Sequence, residues 1–322
     1  MEDLPILEVK NLSIRITKKG KTHELIDNLS FTLKKGRTLA IIGESGSGKS
    51  VAAQAILGLL PYPPFHKPQG EILYGDQNLL TILPQALEKI RGSRITMIFQ
   101  NPLTCLNPVY TIGQQMKEVV DHHLGLHIDQ TNTLLYEALE NTGITNPALC
   151  LKQYPHQLSG GMLQRVCIAM ALICRPDILI ADEPTTALDA SVQYQILKLL
   201  KEIQIKTGMA ILIITHNMGV VAEIADDVLV LYAGQHIEEA STFVLFDHIS
   251  HPYTQALFAA QPGIGPGELP LIQGQIPHYT NFPTGCRFHP RCAHVTEQCR
   301  KRTPKTMDIG DKHRVKCWLY DK

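Results

Sequence analysis

The segment 43–50, GESGSGKS, constrains the fold of this chain more than any other stretch. It matches the pattern of a glycine, four residues, Gly-Lys and then Ser or Thr, which arises by chance in roughly one percent of chains of this length at average residue frequencies. Glycines let backbone N–H groups curve around phosphate oxygens without a Cβ in the way. An apolar run, TLAII at 38–42, precedes the segment and a helical pattern follows it, as this mechanism requires. The sequence therefore predicts a phosphate-binding loop between a strand and a helix.

Continuous apolar runs of strand length recur along the chain, at 178–181, 210–215 and 228–232. Unbroken Ile, Leu and Val runs are typical of strands buried on both faces of a parallel sheet. Between 101 and 174 there is no convincing strand pattern, and 162–174 is strongly helical. The predicted fold class is α/β, with the parallel-sheet core of a P-loop NTPase, an inserted helical subdomain and a small Cys-rich C-terminal extension.

A further helix is predicted over 190–205, and Gly208 is placed to end it. Its predicted apolar stripe consists of Val192, Ile196, Leu199 and Ile203.

Two adjacent carboxylates, Asp182 and Glu183, follow the apolar run at 178–181. Acidic residues at the C-terminal end of a buried strand lie where open α/β sheets bind ligands. Together with the phosphate loop they predict a site in which Lys49 reaches the phosphates, Ser50 and Asp182 hold Mg²⁺, and Glu183 polarises the attacking water. A general base of this kind contributes about 10²–10⁴-fold to the rate. The residues predicted to bind the nucleotide phosphates are Gly43, Glu44, Ser45, Gly46, Ser47, Gly48, Lys49 and Ser50.

The segment LSGGMLQRV at 158–166 closely resembles the signature motif of ATP-binding cassette (ABC) proteins, with Met162 where many members have Gln. The resemblance implies an ATPase that uses ATP and Mg²⁺, and two nucleotides sandwiched between two ATPase domains. Because this chain has one phosphate loop, the second domain is expected from another chain, homologous or identical. The residues expected to face the nucleotide of that partner are Leu158, Ser159, Gly160, Gly161 and Met162. Ser159 is also predicted to be the N-cap of the helix that follows.

Other elements of the ABC family occur in the expected order. Gln100 in MIFQNP resembles the Q-loop glutamine, which the resemblance places on Mg²⁺ and the attacking water, and His216 in IITHN resembles the switch histidine at the γ-phosphate. The implied catalytic residues are thus Glu183, His216 and Gln100. Asp189 in the ALD segment at 187–189 resembles the D-loop aspartate, although it could be only the N-cap of the next helix. The remaining histidines are predicted to be surface residues.

Ile16 is a departure from the family pattern. ABC proteins usually place an aromatic residue at this position to stack on adenine, and base–aromatic stacking contributes about 1–3 kcal/mol per base. An isoleucine can still pack against the base, so Ile16 stays a predicted ATP contact. Either the affinity for adenine is expected to be weaker, or a nearby residue is expected to replace the aromatic ring.

Two features of the C-terminal part narrow the resemblance. SHPYTQAL at 250–257 and the Cys-rich segment that begins GCRFHPRC resemble the ATPase subunits of dipeptide and oligopeptide importers, a group that includes nickel importers. The predicted domains are an ABC ATPase domain at 1–240, with its helical subdomain at about 101–174, and a C-terminal extension at 241–322. The extension is expected to contain an irregular linker at 261–285 and a four-cysteine site at 286–317.

The four cysteines are Cys286, Cys292, Cys299 and Cys317. Their spacing lacks the two-residue pairs of common zinc ribbons. Four thiolates can bind either tetrahedral Zn²⁺ or a [4Fe–4S] cluster, and the resemblance favours the cluster because some members of the importer group contain one there. Zinc, unligated thiols and a disulfide stay open as alternatives. A bound metal would stabilise a loop-rich segment that has little apolar surface for a core of its own.

The charge balance and the hydropathy of the chain limit the kinds of partner that it is expected to bind. The chain has 30 Lys and Arg against 30 Asp and Glu, so it has no overall basic character that would favour nucleic acid. No segment reaches the about 18–20 apolar residues of a membrane span. The resemblance implies a peripheral protein at the cytoplasmic face of the membrane, bound to permease subunits and served indirectly by a separate solute-binding protein. The alternatives are an importer ATPase for nickel or another small solute, a soluble ABC ATPase acting on DNA or ribosomes, and a regulatory module with an inactive cassette.

Overall fold

A computed structural model describes residues 5–186, 188–260, 272 and 274–321. The chain divides into two compact units, one formed by Met1–Thr81 and Ile213–Lys322 and the other by Ile82–Leu212. The strands are β1 (Pro5–Lys18), β2 (Lys21–Lys34), β3 (Thr38–Ile42), β4 (Gln69–Tyr74), β5 (Gln77–Asn78), β6 (Ile95–Ile98), β7 (Ile178–Asp182), β8 (Ala210–Thr215), β9 (Asp227–Tyr232), β10 (Gln235–Ser241), β11 (Met307–Asp308) and β12 (Arg314–Val315). The α-helices are α1 (Lys49–Ile56), α2 (Pro84–Ile90), α3 (Pro102–Cys105), α4 (Ile112–His123), α5 (Ile128–Asn141), α6 (Pro147–Cys150), α7 (Gly160–Leu172), α8 (Ala190–Thr207), α9 (Met218–Ile224), α10 (Thr242–Asp247), α11 (Pro252–Ala259) and α12 (Glu297–Lys301).

The first unit contains an antiparallel sheet of order β2-β1-β4-β5. Its β1 strand places Leu7, Val9, Leu12 and Ile14 in the core, each 1% exposed or less. The sequence patterns do not predict this sheet. Register shifts between Val9 and Leu12 and between Leu12 and Ile14 interrupt the alternation of apolar residues that would have indicated it.

The same unit contains a second layer in which β3 and β9 run parallel, with Leu39 beside Asp227 and Ile42 beside Val230. Every residue of β3 is buried, and β9 continues antiparallel to β10, which pairs with β12. The predicted strands at 38–42 and 228–232 are confirmed, and the helix that follows the phosphate loop is α1.

The second unit combines a parallel pair, β6 and β7, with the helices α3 to α7. The predicted strand at 178–181 is confirmed as β7, which extends one residue further to Asp182. Residues 101–174, all of which the structure describes, form helices and turns without a strand. Their shared core includes Ile112, Met116, Val120, Leu135, Leu139 and Val166.

Helix α8 is confirmed, and Gly208 ends it with a left-handed φ of +71°. The predicted stripe is displaced, because only Ile196 of its four members is fully buried. The buried residues are Ile196, Leu197, Leu200 and Gln204. Both sets have helical spacing, so periodicity alone does not decide which of two adjacent faces packs against the core; the neighbouring elements do.

Glu238, at the centre of β10, joins three parts of the C-terminal region. Its side chain is fully buried and accepts hydrogen bonds from the backbone N–H groups of Ser250 (2.7 Å) and His251 (3.0 Å), just before α11. His313 Nε2 lies 2.8 Å from Glu238 Oε1, the same oxygen that accepts the hydrogen bond from Ser250. One carboxylate thus connects β10, the start of α11 and the turn before β12. Of the predicted linker at 261–285, residues 261–271 and 273 lie outside the described residues.

In the described part of the chain, no helix combines the length and apolar character needed to cross a membrane.

We expect Glu238→Ala to lower the free energy of unfolding by about 3 kcal/mol, because it leaves two buried N–H donors and His313 without their acceptor. The exposed Glu223 of α9 offers a control, and Glu223→Ala should change stability by no more than about 0.5 kcal/mol. Urea denaturation of both variants measures the difference. Equal stability of the two variants would contradict the role assigned to Glu238.

Candidate active site

The phosphate loop forms because glycines stand where the chain has no room for a side chain. At Gly43, with φ +152°, a Cβ would lie 2.2 Å from the backbone oxygen of Leu231 in β9. At Gly48, with φ +106°, a Cβ would lie 2.5 Å from Ile26 Cδ1. The loop therefore passes closely over its own unit and begins α1 at Lys49.

Lys49 lies inside the loop. Its Nζ donates hydrogen bonds to the backbone oxygens of Gly43 (2.7 Å) and Glu44 (2.9 Å), and the residue is only 6% exposed. Ser47 is also buried, and its backbone oxygen accepts a hydrogen bond from Gly234 N–H at 2.8 Å. The ammonium group of Lys49 and the N-terminus of α1 thus both lie at the loop, an arrangement suited to binding an anion.

Ile16 lies on β1 opposite His23 of β2, and Phe65 forms a bridge with it. The Tyr279 ring lies 5.9 Å from the His23 ring, edge on. The aromatic side chains of His23 and Phe65 thus neighbour Ile16 in the strand pairing, and Tyr279 lies beside His23.

In the second unit, Asp182 ends β7 and is 5% exposed. Glu183 follows with φ +48°, a left-handed conformation that is uncommon outside glycine. Gln100 Nε2 donates a hydrogen bond to Glu183 Oε2 at 2.8 Å, and Thr186 Oγ1 donates to the same oxygen at 2.9 Å. The fold thus brings Gln100 and Glu183 together from positions 83 residues apart.

The segment at 158–162 is the start of α7. Ser159 caps the helix by accepting a hydrogen bond from Met162 N–H at 3.3 Å, which is the N-cap role expected from its sequence. Leu158 is buried in the helical core. A Cβ on Gly161 would lie 3.2 Å from Val192 Cγ1, so the start of α7 packs against the start of α8.

Asp189 caps α8, since its Oδ1 accepts a hydrogen bond from Val192 N–H at 2.9 Å. Ala187 of the same motif lies outside the described residues. His216 belongs to the first unit, where it is exposed in the turn between β8 and α9. The residues at 158–162, Asp189 and His216 thus have defined local structures, and their expected roles at a nucleotide stay predictions.

The four C-terminal cysteines line one cavity of about 270 Å³, together with Phe288, His289 and Trp318. All eight cysteines of the chain are free thiols. Among the described residues, no three His, Cys, Asp or Glu side chains are arranged to hold a metal ion. The expectation of a metal site is therefore not supported by the side-chain arrangement. Burial raises the pKa of the Cys286 thiol to about 11 and raises those of Cys292 and Cys317.

Three histidines contradict the prediction that all but His216 are at the surface. His236, His251 and His313 are 9%, 1% and 3% exposed. Burial lowers the pKa of His236 to about 3 and that of His251 to about 4, so both are neutral at physiological pH. Sequence reasoning missed them because an isolated histidine has no pattern that distinguishes burial from exposure.

Sequence reasoning also missed two residues that contact the phosphate loop. Arg291 forms an ion pair with Glu44, and the hydroxyl of Tyr253 accepts a hydrogen bond from the backbone N–H of Glu44. Tyr253 belongs to the SHPYTQAL segment, which was informative only as a family feature. Arg291 lies 247 residues from its partner, and no local pattern marks it.

Comparison with known proteins decides the family. The profile described as "ABC transporter" matches residues 26–186. The dipeptide transport ATP-binding protein DppD of Bacillus subtilis is 45% identical over 318 residues, which cover 98% of this chain and 95% of that protein. The chain belongs to the ABC transporter family. A second profile, "Oligopeptide/dipeptide transporter, C-terminal region", matches residues 237–299 of this family member.

Further similarities agree with this assignment. The oligopeptide transport ATP-binding protein OppD of Bacillus subtilis is 44% identical over 98% of this chain and 88% of its own length. Among solved structures, an ATP-binding cassette in a dimeric post-hydrolysis state with ADP and phosphate superposes with a TM-score of 0.66. It has 27% sequence identity and covers 73% of this chain and 98% of that one. The predicted fold class is confirmed: this ABC family member has an α/β P-loop NTPase fold.

Proposed function

We propose that the chain is the ATP-hydrolysing subunit of a membrane importer of dipeptides or oligopeptides. The observation that carries this proposal is the match of residues 237–299 to the C-terminal region of oligopeptide and dipeptide transporters. It occurs on a chain that also has the phosphate loop and both carboxylates of an ABC ATPase. The reaction is hydrolysis of ATP to ADP and phosphate, coupled to transport.

The phosphate loop binds the ATP phosphates through the N–H groups of 43–50 and the ammonium of Lys49. Mg²⁺ prefers hydroxyl, carboxylate and carbonyl oxygens, and the family motifs of this chain supply all three kinds. Ser50, Asp182 and Gln100 are the proposed ligands. When bound by these residues, Mg²⁺ would neutralise charge on the β- and γ-phosphates. Ile16 packs on the adenosine side, where aromatic rings of the same unit are close by.

Hydrolysis depends on Glu183, which accepts a proton from the attacking water as the oxygen forms its bond to the γ-phosphorus and the bond to the leaving β–γ oxygen breaks. The hydrogen bonds from Gln100 and Thr186 fix the carboxylate of Glu183 in this structure. A carboxylate held by two donors has a restricted orientation, so Gln100 positions Glu183. His216 acts at the γ-phosphate.

A second ATPase subunit, homologous or identical, completes the site. The capped N-terminus of α7, formed by the segment 158–162, presents backbone N–H groups suited to a γ-phosphate. Asp189 acts at the same subunit interface. The similarity to an ATP-binding cassette solved as a dimer with ADP and phosphate supports this arrangement. ATP closes the dimer and hydrolysis reopens it.

The dimer acts on permease subunits at the cytoplasmic face of the membrane, and the helical subdomain, which begins next to Gln100, transmits the motion. A separate solute-binding protein delivers the cargo. We propose peptides as the cargo, rather than nickel or another small solute, because the similar proteins of Bacillus subtilis are dipeptide and oligopeptide transport proteins. The same similarity disfavours a soluble ABC ATPase acting on DNA or ribosomes.

We expect Glu183→Gln to reduce ATP turnover by at least about 100-fold, because the amide cannot accept the proton of water. Nucleotide binding should persist, since Glu183 is not needed to hold the phosphates. Cells that contain only this variant should lose uptake of a labelled dipeptide or oligopeptide while nickel uptake is unchanged. The exposed Glu140 provides the matched control, Glu140→Gln. Unchanged ATP turnover would contradict the catalytic role of Glu183. Loss of nickel uptake with intact peptide uptake would contradict the assignment of peptides as the cargo and favour nickel.

We also propose that the four-cysteine cavity binds a [4Fe–4S] cluster. Four thiols around one cavity of about 270 Å³ are the donor set that such a cluster uses. Because no three metal-binding side chains of the described residues are arranged around a single ion, the proposal is supported by the donor set and by the family resemblance alone. A bound cluster would connect the loops of 286–317 and stabilise them.

Anaerobic purification followed by iron and sulfide analysis tests the cluster. We expect about four irons and four sulfides per chain, with a broad absorption band near about 400 nm. Cys292→Ser should abolish the iron, whereas Cys105→Ser, at an exposed thiol of the second unit, should retain it. One zinc per chain without the band would overturn the iron assignment, and the absence of both metals would leave the four thiols unligated.

A further inference from the structure

The Cys-rich region touches the phosphate loop through one ion pair. The guanidinium of Arg291 contacts both oxygens of the Glu44 carboxylate, at 2.6 Å from Nη1 to Oε2 and 3.0 Å from Nη2 to Oε1. Glu44 is the second residue of the phosphate loop. This two-point geometry fixes the orientation of both planar groups, which a lysine could not do.

The burial of Arg291 distinguishes this pair from the exposed ion pairs of the region. The Arg291 side chain is 5% exposed. By contrast, Arg314 pairs with Glu239 at 44% exposure and Lys301 pairs with Glu297 at 70%. Exposed pairs contribute little because water and salt screen them, whereas a shielded, two-point pair is lost only with a penalty. Burial by itself lowers the pKa of Arg291, but the hydrogen bonds and charge interactions with Glu44 and Tyr232 together raise this pKa above its ordinary value.

The backbone of Glu44 is held from the same side. Its N–H donates a hydrogen bond to the hydroxyl of Tyr253 at 2.8 Å, and Tyr253 is fully buried in α11. Further along the loop, a Cβ placed on Gly46 would lie 3.7 Å from the side chain of Ile276. Residues after β10 therefore contact the side chain and backbone of Glu44 and also approach Gly46.

The position of Arg291 depends on the fold of the four-cysteine region. Arg291 lies between Cys286 and Cys292, at the end of a 3-10 turn. The N–H of Cys286 donates a hydrogen bond to the oxygen of Cys299 at 2.8 Å. The ring of Phe288 lies 5.4 Å from that of Tyr253. Hydrogen bonds and ring contacts thus connect the cavity lining to the two residues that hold Glu44.

We propose that Arg291 is a positioning residue for ATP binding: it holds Glu44, and with it the first turn of the phosphate loop, in the conformation that presents the loop N–H groups to the phosphates. The folded four-cysteine region thereby raises the affinity of the loop for nucleotide. The inference depends on ATP binding by this ABC protein, and neither the cargo nor the occupant of the cavity enters it.

Equilibrium binding of a fluorescent ATP analogue to the full chain, together with steady-state ATP hydrolysis, tests the proposal. We expect Arg291→Gln to raise the Kd and the KM for ATP by about tenfold, the equivalent of one charged hydrogen bond, while kcat changes by less than about twofold. Arg291→Lys should lose about threefold, because it retains the charge and one contact but not the two-point geometry. This variant also keeps the test valid if Arg291→Gln folds poorly.

Arg314→Gln is the matched control, because it removes an arginine–carboxylate pair of the same region that has no contact with the phosphate loop. Its Kd should equal that of the unmodified chain. Glu44→Gln supplies the other half of a double-mutant cycle, and in that background Arg291→Gln should add less than about twofold, since the pair is already broken.

Three results would overturn the proposal. The first is an unchanged Kd in Arg291→Gln. The second is an equal loss in Arg314→Gln, which would show only a general effect of the region's stability. The third is a full additional loss from Arg291→Gln in the Glu44→Gln background, which would show that Arg291 does not act through Glu44.

Discussion

The passage of the phosphate loop over the backbone oxygen of Leu231 is the constraint on which the first unit depends. A Cβ at Gly43 would lie 2.2 Å from that oxygen, so only glycine permits the approach. The approach in turn fixes β9 beside β3 and directs the chain into α1 at Lys49. Lys49 then fills the loop with a buried cation. One close backbone contact, made possible by a parallel pair of buried strands, thus shapes the loop that is predicted to bind phosphate.

The C-terminal region is built onto this same unit. Glu238 connects β10 with the start of α11 through two backbone hydrogen bonds. Arg287 forms a second connection, since its guanidinium lies 3.1 Å from Asp27 of β2. Arg291 forms a third at Glu44. The segment 237–299, which matches the C-terminal-region profile, thus contacts the phosphate loop. This contact physically connects the four-cysteine cavity with the loop.

Sequence patterns predicted those features of the structure that are determined by residues close together in the chain. The all-apolar strand at 38–42, the glycine spacing of the loop and the cap at Ser159 each follow from neighbouring residues, and the structure contains them. The buried face of α8 was misplaced because two adjacent faces share the same periodicity, and only packing selects one. The antiparallel sheet was missed because register shifts break its alternation. The contact of Arg291 with Glu44 joins residues 247 apart, and nothing in either local sequence encodes it.

The central claim is that the phosphate loop and the four-cysteine region are energetically coupled. Because coupling is reciprocal, ATP must stabilise that region as much as the region favours ATP. Hydrogen exchange of the amides at 286–302, measured on the full chain with and without ATP, tests this most directly. The account predicts slower exchange in these amides when ATP is bound. Unchanged exchange there, in a sample whose phosphate-loop amides become protected, would contradict it.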